Sequence, residues 1–133
     1  MRRFLGAFER TSVRVYGWAT HVDTQGPVPF AFTQGLMERF EHPDLQAVLE
    51  ESPEALRERL ARVAFMVAGG RVFRADEEAD LDGQQVRFRA RTFRGREYLR
   101  VVFADHEGRF PDEPDCNPHY RIQLVGVRGE GEP

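Results

Sequence analysis

Apolar positions along this chain keep two different periods, and the change between them separates strands from a single long helix. From Val13 to Val22 the residues alternate, with Val13, Val15, Gly17 and Ala19 against Arg14, Tyr16, Trp18 and Thr20. Such alternation puts successive side chains on opposite faces of a strand. Both rows hold large or apolar groups, so this strand is expected to be covered on both sides for part of its length. Residues 23–27 read as a turn punctuated by Gly26 and Pro27. Val28 to Gln34 returns as a second strand with Phe30 and Phe32 on one face. Pro29 belongs at its start, because proline cannot donate to a ladder. Gly35 to Pro43 reads as a loop or a single helical turn, and Leu45 to Leu49 as a short strand or the lead-in to the helix.

The period then lengthens. Leu56, Leu60, Val63 and Val67 form a helical stripe, which predicts a helix over about 53–68. Ser52 is a preferred N-cap, Pro53 suits the first helical position, and Glu54 favours the positive end of the dipole. Gly69 and Gly70 stop it. Phe65 falls opposite the stripe, so the last turn is expected to be buried on two sides. After the helix, Arg71 to Arg74 reads as a short strand and 76–83 as an acidic loop. Residues 85–92 and 97–104 form a hairpin linked through Phe93, Arg94, Gly95 and Arg96. A final strand is expected from His119 to Val127. The sum is an α+β fold, a mainly antiparallel sheet packed against one long helix, in a single domain over 1–133 with a flexible tail from about 128.

Composition narrows the function. The chain has 133 residues, 41% of them hydrophobic, with a net charge of −3. One ordinary core is possible at this size, and the negative balance argues against a general nucleic-acid or membrane-surface binder. All of the basic side chains are arginine. A single cysteine, Cys116, excludes an internal disulfide and gives no reason to expect secretion. Residues 2–10 are compatible with a short helix or an edge segment; they begin like a signal peptide but meet Glu9 and Arg10 before any sustained apolar run. A cytoplasmic location with no membrane contact is therefore expected.

Several blocks carry a family resemblance. Gly17-Trp18, Pro29-Phe-Ala-Phe-Thr-Gln-Gly-Leu36 and His42-Pro-Asp-Leu45 resemble, in order and spacing, the opening of the domain of unknown function 4262 family. Asp105-His-Glu-Gly-Arg-Phe-Pro111 resembles that family's later block, so the similarity extends over roughly residues 15–118. Phe32 stands where the family usually has Tyr, Glu41 where it has Gly, and Asp112 where Trp is common. A helical piece before the last strand is replaced by the turn at Arg94-Gly95. The resemblance implies no known reaction, cofactor or catalytic residue.

Two functional expectations follow. The first is a non-enzymatic binding or regulatory module in which Arg87, Arg89 and Arg91, extended by Arg94 and Arg96, engage an acidic protein or a nucleic acid, with Phe93 and Tyr98 beside them. The second is a small-ligand or hydrolytic pocket where the Phe30–Leu45 and Asp105–Pro111 blocks meet. Its candidate residues are Trp18, Thr33, His42, Asp105, His106 and Arg109, with a carboxylate orienting an imidazole and Arg109 holding an anion. Cys116 and His119 are half of a zinc ligand set, so neither a metal nor a cofactor is expected. No complete catalytic set is visible, and the first expectation is favoured.

Overall fold

The alternating runs on either side of the helix lie in one six-stranded sheet. The structure is a computed structural model that describes residues 17–26, 28–127 and 130. Its strands are β1 (Ala19–Asp23), β2 (Phe30–Gln34), β3 (Asp44–Ala47), β4 (Glu78–Leu81), β5 (Gln84–Phe93) and β6 (Arg96–Phe103), in the spatial order β1-β2-β3-β6-β5-β4. Every pairing is antiparallel except β3 with β6, where Asp44, Leu45 and Gln46 lie opposite Tyr98, Leu99 and Arg100. A parallel neighbour needs a crossover. Here the chain leaves β3 through a helix and the β4–β5 hairpin before β6 returns.

Among the described residues two helices precede β4: α1 (Leu36–Phe40), a single short piece, and α2 (Pro53–Ala68). The α2 boundaries are those expected, and Ser52 caps it by accepting from the Ala55 N–H at 3.2 Å. Leu56, Leu60, Val63, Ala64 and Val67 face the sheet and pack with Leu45, Ala47, Val86, Phe88, Leu99, Val101 and Phe103. The opposite face of the sheet is also covered. Phe30, Phe32, Val48, Phe93 and Tyr98 form a second cluster, closed by Val127 and Ile122 from the C-terminal segment. Both faces of the sheet are therefore covered, and β2 is buried in both rows from Phe30 to Thr33.

Four expectations need correction. The region read as an acidic loop contains β4, which turns into β5 at Asp82-Gly83, both with positive φ (55° and 91°), as a tight hairpin turn demands. Residues 119–127 do not form a strand; Pro118–Leu124 is a 3-10 helix started by Pro118 and capped by the Asn117 side chain. Residues 71–74 join no ladder. Phe65 is half exposed, with its ring edge-on to Trp18, so the last helical turn is buried on one side. The expectations for residues 2–10 and for the strand before Gly17 lie outside the described residues. No helix among the described residues is long and apolar enough to cross a membrane.

One buried charge holds the C-terminal segment to the sheet. Arg100 projects from β6 away from α2 and has no exposed surface. Its Nε donates to Gln46 Oε1 at 2.9 Å and its Nη1 to the carbonyls of Gln123 and Val125 at 3.1 and 2.7 Å, while Nη2 meets the Glu130 carboxylate. Gln123 completes the clasp by pairing its side-chain amide with both the N–H and the C=O of Phe103. Glu130 also forms an isolated antiparallel bridge with Phe93. Removing a partner from a buried ion pair leaves the other charge uncompensated. Arg100→Ala is expected to cost about 3–5 kcal/mol in urea unfolding, and Arg100→Lys, which keeps the charge but not the fork of donors, an intermediate amount.

Candidate functional site

The first block of motif residues builds a strand crossing. At Gly35 (φ 109°) the chain leaves β2, and a Cβ there would lie 2.5 Å from the Gly17 carbonyl oxygen and 2.8 Å from Trp18 Cα. Only glycine permits this approach. Beside it the Thr33 hydroxyl donates to Asp44 Oδ1 at 2.7 Å and accepts from the Leu45 N–H at 2.9 Å. The Leu36 N–H donates to the same carboxylate oxygen at 3.0 Å, and the Tyr98 hydroxyl donates to the Thr33 carbonyl at 3.1 Å. Burial pushes the Asp44 carboxyl above its ordinary value, opposed by the Thr33 and Leu36 hydrogen bonds. Burial, then the neighbouring Asp44, pushes Tyr98 up to about 12.

His42 is buried, and both its ring nitrogens are engaged. Nδ1 donates to the Pro43 carbonyl at 2.8 Å and Nε2 accepts from the Phe73 N–H at 2.9 Å. The second block is occupied in the same way. Asp105 accepts from the N–H groups of Glu107, Arg109 and Asn117, each at 2.9 Å. Those bonds, first from Arg109 and then from Asn117, hold its carboxyl below the usual range. Arg109 is spread among Asp105, Glu107 and Asp115 at 3.9, 3.2 and 4.0 Å.

The two blocks do not meet. His42 precedes β3, whose Asp44 pairs with Tyr98 near the start of β6, whereas Asp105 follows the end of β6. Trp18 and Thr33 belong to the first end of the sheet. Asp105, His106 and Arg109 line an open polar hollow with His119 at the other. His42 instead lines a separate cleft with Phe73, Val67 and Leu99. The pocket expected between the blocks is therefore not assembled. Cys116 and His119 also diverge: Cys116 is buried beside the Arg109 carbonyl, and His119 is exposed, 3.3 Å from Glu50. Among the described residues no group of three or more His, Cys, Asp or Glu could hold a metal ion.

The arginine hairpin is largely matched by acids. Arg87 lies 4.2 Å over the Phe110 ring between Glu78 and Asp112, Arg89 meets Asp76 at 3.1 Å, and Arg96 meets Glu38 at 2.6 Å. Arg94 sits over Phe32 and Phe93, 3.8 Å from Asp23. Among the described residues Arg91 forms no ion pair, and its Nε is buried without a hydrogen bond. Phe93 and Tyr98 are buried, so neither offers a stacking face.

These elements define an α+β protein whose sequence motifs secure a strand crossing and two loops. Over residues 12–96 the chain matches the family described as "Domain of unknown function (DUF4262)", and it belongs to that family. The Asp105–Pro111 block lies beyond the matched span. No curated protein and no solved structure matches the chain.

The two motif carboxylates carry opposite pH signatures. Asp44 has a folded value above its ordinary 3.8. Its contribution is fully present below that value and is lost as pH rises through the folded one. Asp44→Asn keeps the acceptor without the charge and is expected to match or exceed wild-type stability at neutral pH. Asp44→Ala strands the Thr33 and Leu36 donors and is expected to cost about 1–3 kcal/mol. Asp105 is depressed below 3.8, so it stabilises above that value and loses the effect as pH falls through the folded one. Acid titration of Asp105→Asn is expected to show lower stability at neutral pH and a shallower loss on acidification.

Proposed function

We propose that this protein is a non-enzymatic, cytoplasmic binding and regulatory module that receives an acidic segment of a partner protein on the arginine face of the β5–β6 hairpin. The reading is supported by Arg91, a cation with no carboxylate partner among the described residues, set on the same strand face as Arg89 and close enough to lower the buried Arg100. Around it the Arg89, Arg94 and Arg96 side chains keep 45%, 49% and 54% of their surface exposed. Exposed ion pairs contribute only about 0–1 kcal/mol each, so an incoming run of carboxylates can replace the internal acids at low cost. The burial of Phe93 and Tyr98 favours an acidic peptide over single-stranded nucleic acid, which needs aromatic faces for its bases. Catalysis is disfavoured because His42 and Asp105 spend their polar atoms on structural hydrogen bonds and Asp44 Oδ1 is held by Thr33 and Leu36.

The test leaves Arg87 in place, since its clamp on Glu78, Asp112 and Phe110 is structural. Capture from a lysate with wild type and with Arg89→Gln/Arg91→Gln/Arg94→Gln is expected to give an acidic protein that only wild type retains, with retention falling steeply as salt is raised. Equal retention by a folded triple variant, or none by either protein, overturns the reading.

A further inference from the structure

We propose that the cleft beside His42 is a binding site for a small zwitterion with an apolar body, of the size of a hydrophobic amino acid. The cleft, about 420 Å³, lies between the C-terminal end of α2, residues 71–75 and the segment that leads into β3. Sites of this size hold small ligands. Its floor is apolar and rigid. Val67, Phe73 and Leu99 are almost wholly buried, and Phe73 is stacked on Phe88 at 4.5 Å. His42 fixes the floor by joining the Phe73 N–H to the Pro43 carbonyl through its ring.

The rim carries charge of both signs. Arg71, Arg74, Glu41 and Glu97 all line the cleft and all are exposed. Among the described residues none of the four is ion-paired, as Arg57, Arg62 and Arg91 also are not, whereas Arg59, Arg87, Arg89, Arg94, Arg96, Arg100 and Arg109 each meet an acid. Arg71 is held at the mouth by the Phe73 ring, its guanidinium 5.0 Å from the centroid. Gly70 (φ 107°) leaves that side open, with no atom within 4 Å of where a Cβ would stand. A ligand acid alone would leave the two glutamates facing its apolar body, and a ligand base alone would do the same with the two arginines. A molecule bearing both charges matches the rim while its apolar part meets the floor.

The experiment is an amide-resolved NMR titration of the full chain with L-phenylalanine, 3-phenylpropanoate and 2-phenylethylamine. The expected result is that L-phenylalanine shifts the amides of Gly70, Val72, Phe73 and Glu97, and that each singly charged analogue binds about tenfold more weakly. Arg71→Ala/Arg74→Ala, two exposed positions, is expected to abolish the shifts with an unchanged melting temperature. Should that variant lose its fold, Glu97→Gln serves instead and is expected to weaken L-phenylalanine while sparing 3-phenylpropanoate. Absence of shifts with L-phenylalanine on the order of 10 mM overturns the proposal, as does equal binding of all three compounds.

Discussion

A guanidinium with no exposed surface sets the terms for the rest of this structure. Arg100 stands in the middle of β6, between the parallel neighbour β3 and the antiparallel neighbour β5, and faces away from the helix. A charge there is tolerable only if its donors are met. The chain meets them with Gln46, two carbonyls from the C-terminal segment and Glu130. Burial still pulls the group down to about 10, with Glu130 opposing the shift, so it stays charged at neutral pH. The same set of bonds brings Ile122 and Val127 over Phe30, Phe32 and Phe93. The second face of the sheet is thus closed by polar contacts and apolar packing together.

That arrangement explains which parts of the fold are legible in sequence. The α2 boundaries are written locally, in Ser52, Pro53 and the stripe from Leu56 to Val67, and the structure keeps them. The β5–β6 hairpin is legible for the same reason, since Arg94 and Gly95 both accept positive φ (53° and 75°). β4 was hidden by its acids, although Asp82-Gly83 is a strong turn signal; as an edge strand it needs only one apolar face. The segment after Asn117 looked like a strand because Tyr120, Ile122 and Leu124 alternate with Arg121 and Gln123. Its backbone groups, however, bond its own near neighbours and the side chains of Gln123 and Arg100, with no strand beside it among the described residues. Alternation reports a face to be buried, and it does not say which backbone bonds accompany the burial.

The candidate site divides along the same line. The motif residues were visible, but their chemistry depended on whether two distant blocks converge, and that is decided by the register of β3 against β6. Once Asp44 lies opposite Tyr98, the Asp105 loop falls at the far end of the sheet. Both blocks then read as loop fasteners, in which short polar side chains bond backbone N–H groups left outside the ladders. Arg71 and Arg74 carried no sequence signal, because a segment without a ladder partner has no period of its own. Arg100 did carry one: a lone charge flanked by Leu99 and Val101 in an apolar strand points to a buried network.

The parallel pairing of β3 with β6 has a consequence for how the chain reaches this state. Strands β1, β2 and β3 are joined by short connections, and so are β4, β5 and β6, so each set can zip from near neighbours. The seam between them joins residues such as Gln46 and Arg100, which are 54 positions apart. Closing so long a loop carries an entropy cost before any of its contacts form. Loop-closure entropy therefore favours pairing within each three-stranded half over pairing across the seam, and α2 lies between the two halves in sequence.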